Sequence, residues 1–294
     1  MRPQVVIAAT LLLNLALFVV NLEVALLSGS RTVLSQAIYT VTDLAGSGFL
    51  LWGLYLSRRP ADYAHPFGFG KERFFWAFVS IVVTFTTAGI VALVTGVTQM
   101  FAPQPVSHIG EALLVVVATL LVSLAGIWVT LRELRISRQT LQALLESANQ
   151  GLKAIFYQDL VTIGAAVVAV GGLLAVYRTH DYAIDGATAA VEGMLLVATG
   201  FVLTAESREY LIGRALEPVV AREMLGVVER NPRVAKVRSL QSMQLGPDDA
   251  LLALRINFQD GLTTDQIEST IDEVTLSLRT AFPVLRHIII EPES

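Results

Sequence analysis

The chain contains no cysteine. That excludes disulfides, thiolate metal ligands and cysteine nucleophiles. Charge is scarce as well. Only 16% of the 294 residues are Asp, Glu, Lys or Arg, against about 25% in an ordinary soluble chain. A larger soluble core does not account for that shortfall, whereas helices buried in a bilayer exclude charge by their nature. Histidine is limited to His65, His108, His180 and His287, so a nitrogen-rich metal site has few candidates. The net charge of −4 lacks the basic balance of a nucleic-acid binder. With no nucleophile–base pair and no glycine-rich nucleotide loop, the sequence does not read as an enzyme.

What the sequence does have is apolar runs: 54% of residues are hydrophobic, with a mean hydropathy of +0.62. A helix crossing a bilayer needs roughly 20 mostly apolar residues. Six segments qualify: Val5–Leu27, Arg31–Leu56, Phe74–Phe101, Glu111–Leu131, Ala154–Tyr177 and Ile184–Thr204. Arg2 and the small residues Ser28–Gly29–Ser30 also fit a signal peptide, but five further spans need no cleavage to explain them. The loop after span two carries Arg58, Arg59, Lys71 and Arg73, and the loop after span four carries Arg132, Arg135, Arg138 and Lys153. The loop at 102–110 has no Lys or Arg. Even-numbered spans are therefore expected to end in the cytoplasm, with both termini on that side. Trp52, Trp76 and Trp128 fall near those ends as interfacial anchors.

After span six the pattern changes. Residues 218–230 look helical and 234–245 strand-like, and Leu252, Leu254, Ile256 and Phe258 alternate on one strand face. Ile267, Ile271, Val274 and Leu278 share one helical face ended by Pro283, before a last short strand at Leu285–Ile290. The expectation is an all-α membrane domain over 1–212, followed at 213–294 by a small cytoplasmic α+β domain of order αββαβ. A module that small often gains from dimerisation.

Ionisable residues within spans point to function. Counting along the helices puts Asp43 and Asp159 at similar depth, so the two carboxylates are expected to meet provided spans two and five are neighbours. Tyr39 lies one helical turn before Asp43 on the same face. Two buried carboxylates do not both stay ionised cheaply without a positive partner. A divalent cation supplies that charge, and protons replace it when it leaves, which is the simplest form of proton-coupled antiport. Glu23 is expected near interfacial water and Glu192 deeper, lining an outer cavity. Asp185 reads as a solvated helix-start residue, and Asn14 and Asn21 as bonds between helices. His65 and its basic neighbours read as a topology-fixing loop. A tail metal site at His287 with Asp248 and Asp249 is a weaker reading than a structural histidine.

Several longer motifs carry a resemblance. Ser35–Gln36–Ala37–Ile38–Tyr39–Thr40–Val41–Thr42–Asp43 resembles the second-span motif of the cation diffusion facilitators, and His65–Pro66–Phe67–Gly68–Phe69–Gly70–Lys71–Glu72–Arg73 resembles the loop that follows it. Met243–Gln244–Leu245–Gly246–Pro247–Asp248, Ile290–Glu291–Pro292–Glu293, and Glu206–Ser207–Arg208 with Leu211–Ile212–Gly213 are similar to signatures of the branch that includes zinc transporter nine. The resemblance implies dimeric, proton-coupled exporters of zinc or related divalent cations in the inner or plasma membrane, with a ferredoxin-like cytoplasmic tail. Carried over by position, the family's metal site falls on Tyr39 and Asp43 of span two and on Ile155 and Asp159 of span five. The departures are chemical. Tyr39 stands where His or Asp is usual, Ile155 binds no metal, Gln36 and Gln158 replace frequent Glu, and Gln244 replaces a frequent tail His. An all-oxygen site of Asp43, Asp159 and Tyr39 suits Mn²⁺, Fe²⁺ or Mg²⁺ at least as well as Zn²⁺. The loss of ligands also leaves open a non-transporting subunit, or a sensor, that pairs with a competent paralogue.

Overall fold

The computed structural model describes residues 3–136 and 150–293. Six long helices come first: α1 (Pro3–Ser28), α2 (Arg31–Leu56), α3 (Glu72–Phe101), α4 (Ile109–Ile136), α5 (Gln150–Thr179) and α6 (Ala183–Ile212). Each covers one of the six apolar segments. Four of them contain a stretch long and apolar enough to cross a membrane: α3, α4 at Ile109–Trp128, α5 at Asp159–Thr179, and α6. Helix α2 has the length, at 26 residues, but its stripe of Ser, Gln, Thr and Asp dilutes its apolar content.

The burial pattern of these helices is inverted relative to a water-soluble bundle. Inside lie Asn21, Ser35, Gln36, Asp43, Thr84, Gln99, Asp185 and Glu192. Outside, Leu26, Phe101, Leu114, Phe201 and Val202 are each more than 60% exposed. In water such an apolar surface would drive association. Against lipid chains it costs nothing, and polar contacts and close packing of small residues hold the helices together instead.

The contacts follow that logic. Helices α3 and α6 meet backbone to backbone at Gly89 with Gly193 and at Gly96 with Gly186. A Cβ on Gly186 would stand 2.6 Å from the Gly96 carbonyl oxygen, and one on Gly193 would stand 2.7 Å from that of Gly89. An apolar cluster of Val24, Val33, Val115, Val116, Ala169 and Leu173 joins α1, α2, α4 and α5. Between α2 and α3, the Thr42 hydroxyl donates to the Thr84 carbonyl (3.3 Å) and the Thr84 hydroxyl donates to the Thr42 carbonyl (3.2 Å). Thr84 lies within a π-helical turn, Val82–Thr87, of α3. Such single turns often mark functional places in helices, and this one lies beside the residue that precedes Asp43.

Asp185 departs from the expectation of a solvated helix start. It is fully buried. Its carboxylate accepts from the Ser30 hydroxyl (2.6 Å), the Arg31 amide (2.6 Å) and the Thr32 amide (3.4 Å). A carboxylate from α6 thus caps the first turn of α2, satisfying amides that have no partner within their own helix. The tight turn that delivers those amides uses Gly29 in the left-handed region, at φ 71°. The Asn21 side-chain amide donates to the carbonyl of Leu17 in its own helix (2.8 Å), and among the described residues no bond from it to another helix is seen.

The chain clusters into two compact units, one of residues up to Leu54 together with Phe75–Ser207, the other of Tyr55–Phe74 with the chain from Arg208 onward. The second unit adds α7 (Pro218–Glu229), β1 (Val234–Gly246), β2 (Asp249–Phe258), α8 (Thr264–Ala281) and β3 (Leu285–Glu293). Its three strands run in the order β1-β2-β3. Strand β2 is antiparallel to β1, with Leu240 opposite Leu254, and parallel to β3, with Leu254 opposite Ile290. Leu252, Leu254 and Ile256 of the central strand are fully buried against Met224 and Val228 of α7 and Val274 and Leu278 of α8. Each such side chain contributes about 1.5–3 kcal/mol through burial. A capping box starts α8: Gln266 N donates to the Thr263 hydroxyl (3.3 Å) and Thr263 N donates to the Gln266 side chain (2.9 Å).

The basic loop belongs to this second unit. A Cβ on Gly70 would lie 2.5 Å from the Leu245 carbonyl oxygen, Lys71 Nζ is 3.6 Å from Met243 Sδ, and Phe67 meets the His287 ring edge-on at 5.2 Å. The loop motif at 65–73 and the tail motif at 243–248, far apart in sequence, therefore pack on each other.

Candidate cation site

Five helices of the first unit surround one cavity of about 80 Å³, α1 contributing only Leu17, and the space is several times what a single water requires. Helix α2 contributes Ser35, Gln36, Tyr39, Thr40 and Asp43 at helical spacing, which places them on one face. Asp159, Thr162 and Ala165 come from α5, Thr119 and Ser123 from α4, and Glu192 from α6. The same cavity thus brings together Asp43, Asp159 and Tyr39.

Tyr39 joins α2 to α5 directly, since its hydroxyl accepts from the Thr162 hydroxyl at 3.3 Å. Its ring packs against Phe85 of the π-helical turn, 6.2 Å between centroids. Asp43 is 7% exposed. Asp159 reaches toward α4 at Gly126, where a Cβ would stand 2.6 Å from Oδ2. Glycine at 126 thereby makes the room in which this carboxylate sits. Glu192 is 2% exposed and hydrogen-bonds the Ser35 hydroxyl through Oε2.

Other candidates fall elsewhere. Glu23 is exposed and does not line the cavity. The side chains of Asn14, Ile155 and Gln158 lie outside the described residues. His65 is exposed on the second unit and bonds Asp62 (3.1 Å). The His65 backbone amide holds the Asp62 carboxyl below its ordinary range. His287 Nε2 stands 3.9 Å from Asp249. Burial pushes the Asp249 carboxyl up, with His287 and Arg286 pulling the other way. Trp52 and Trp128 are more than half exposed, the latter beneath the Arg132 guanidinium at 5.5 Å. Sequence reasoning passed over Thr119, Ser123, Thr162 and Gly126. The four-residue spacing of Thr119 and Ser123, a polar pair on one face of an apolar span, was the available signal.

Chemically the cavity offers three carboxyl groups (Asp43, Asp159 and Glu192), a phenol, an amide and hydroxyls, and among the described residues no imidazole. Among the described residues, no three His, Cys, Asp or Glu side chains stand close enough to hold a metal ion together. A divalent ion held by Asp43 and Asp159 would complete its shell with hydroxyl and water oxygens, the environment of harder cations.

Residues 7–212 match the cation efflux transmembrane domain, and the chain belongs to that family. It is a multi-pass membrane protein. It is 25% identical over 262 residues to metal tolerance protein C4 of Arabidopsis thaliana, covering 87% of this chain and 57% of that protein. It is 23% identical over 274 residues to the mitochondrial proton-coupled zinc antiporter SLC30A9 of Mus musculus, covering 88% and 48%. With the cation-efflux pump FieF of Shigella flexneri the identity is 25% over 278 residues, covering 94% and 88%. The chain spans about half the length of the first two relatives.

Proposed function

We propose that this protein is a proton-coupled exporter of a divalent cation, with Asp43 and Asp159 as the ligands and Tyr39 a weak or indirect contributor. The observation that carries the reading is the single cavity lined by both carboxylates, one from α2 and one from α5. Neutralising two buried carboxylates takes one divalent cation or two protons. The site's charge balance therefore makes metal and protons exclusive occupants, which is the condition for exchange. The similarity to a cation-efflux pump and to a proton-coupled zinc antiporter supports the same direction. Zinc is carried in the antiporter's name, while the all-oxygen cavity favours Mn²⁺ or Fe²⁺ more than an imidazole site would. In this reading all six long helices span the membrane, even-numbered spans ending in the cytoplasm. The 213–294 tail is then a cytoplasmic ferredoxin-like module that supports a homodimer.

The test is uptake of Zn²⁺, Mn²⁺, Fe²⁺ and Mg²⁺ into proteoliposomes with an imposed pH gradient. Flux of one ion that vanishes in Asp43→Asn with Asp159→Asn is expected. Flux unchanged in that variant sinks the site. The missing third ligand favours a second reading, a non-transporting subunit paired with a paralogue. Folded wild-type protein that moves no ion and binds none is its signature.

A further inference from the structure

The Ser35 hydroxyl makes two contacts at once. It is 2.8 Å from the Thr32 carbonyl oxygen and hydrogen-bonded to Glu192 Oε2. A hydroxyl has one proton to donate, and a carbonyl oxygen only accepts. If Ser35 donates to Thr32, its contact with Glu192 is a hydrogen bond only when Glu192 carries a proton and donates it to Ser35. The chain then runs Glu192 to Ser35 to the Thr32 carbonyl with every proton accounted for. Thr32 is held in place because its own amide and hydroxyl are tied to Asp185, which lies two turns before Glu192 on the same face of α6. The other oxygen of Glu192, Oε1, and both amide atoms of the neighbouring Gln36 are buried without a hydrogen-bond partner among the described residues. Both residues line the cavity.

We propose that Glu192, with Ser35 and Gln36, is a dedicated proton-binding station in the cation cavity, separate from Asp43 and Asp159. A proton suits it better than a metal. Glu192 belongs to no group of three metal-binding side chains among the described residues, and a lone carboxyl is neutralised by one proton. Transfer is simple acid–base exchange: the Glu192 O–H bond breaks, its electron pair stays on the carboxylate, and a water molecule becomes hydronium. Among the described residues, the charged or titratable groups that face it are Asp43 and Tyr39 from α2, Asp159 from α5, and Asp185 on its own helix. Among the described residues no Lys, Arg or His lines the cavity. A divalent cation on the two aspartates favours the ionised form of Glu192 through space, and its departure favours the protonated form. This station rests on the exporter reading for its use, though its existence does not.

Infrared difference spectroscopy on the purified protein at neutral pH, without metal, reads the station directly. Glu192→Gln is expected to remove one component of the protonated-carboxyl absorption, a component that the Asp43→Asn, Asp159→Asn variant keeps while losing whatever the two aspartates contribute. A band untouched by Glu192→Gln overturns the proposal. Should Glu192→Gln fail to fold, Ser35→Ala replaces it: loss of the acceptor is expected to shift the band to higher frequency, and an unmoved band overturns the proposal. In proteoliposomes with Mn²⁺ and Zn²⁺, the acceleration of flux by a pH gradient is expected to fall severalfold in Glu192→Gln. An unchanged pH response overturns the coupling role. A wild type that moves neither ion defeats the exporter reading and leaves the infrared result standing by itself.

Discussion

The Asp185 carboxylate of α6 lies 2.6 Å from the backbone amide of Arg31, the first residue of α2. One buried side chain thereby fixes the start of the helix that carries Tyr39 and Asp43. Replacing it with alanine leaves the Arg31 and Thr32 amides and the Ser30 hydroxyl without their acceptor in a buried place. Asp185→Ala is expected to destabilise the helical unit by about 2 kcal/mol, the scale of a lost cap with charge-assisted bonds. Asp185→Asn, which keeps one acceptor oxygen, is expected to cost less. Thermal unfolding of the purified protein in detergent ranks the three, and an alanine variant as stable as wild type defeats the capping argument.

Gly126 and Asp159 are coupled by space alone. A methyl group at 126 would occupy a point 2.6 Å from Asp159 Oδ2, so the carboxylate has to move away from its place in the cavity. Displacements of groups that position a metal ligand typically lower affinity 10–100-fold. Gly126→Ala is therefore expected to weaken binding of the transported ion by roughly 10-fold. The fold is expected to survive, since alanine is a better helix former than glycine. Equilibrium metal binding beside a thermal melt separates the two effects. Equal affinity in both proteins contradicts the placement of Asp159.

The helices themselves were legible because hydrophobicity runs at the scale of a bilayer, and the tail because Leu252, Leu254, Ile256 and Phe258 alternate. Tyr39 and Asp43 were legible as a pair because four residues make one helical turn. Their meeting with Asp159 was not, because the depth of a residue says nothing about which helix stands beside it. The Tyr39–Thr162 bond supplies that information. Asp185 was misread for a related reason. Its position at the start of α6 fits a solvated cap, and only the turn at Gly29 brings another helix's amides to it. The basic loop was read as a determinant of topology, whereas its packing on Met243, Leu245 and His287 depends on contacts far apart in sequence.

Ligand chemistry at position 39 is open to a direct trial. Tyr39 shares a helix face with Asp43 and already reaches α5. Tyr39→His would place an imidazole beside two carboxylates, moving the site toward the nitrogen ligands zinc prefers. The expected outcome is a gain in Zn²⁺ affinity relative to Mn²⁺ of about 10-fold, a difference of about 1.4 kcal/mol. Competition binding of the two ions reads the ratio. An unaltered ratio shows that position 39 does not face the ion.

In the tail, the Asp249 carboxyl is pushed above its ordinary range, chiefly by burial, with His287 and Arg286 opposing. A carboxyl whose value is raised on folding binds protons more readily in the folded than in the unfolded chain. Its contribution to stability is therefore complete below the ordinary carboxylate range and is lost as the pH rises through the folded value. Asp249→Asn removes that loss. The variant is expected to raise the unfolding temperature of the tail relative to wild type at neutral pH, and to leave it nearly unchanged in acid. His287→Ala takes away one of the groups that ease the ionised carboxylate, so its expected effect is the reverse at neutral pH. Hydrogen exchange of β2 and β3 in the full chain, followed across pH, isolates the tail from the helices. If Asp249→Asn and wild type keep a constant difference from acid to neutral pH, burial of Asp249 carries no linkage to stability.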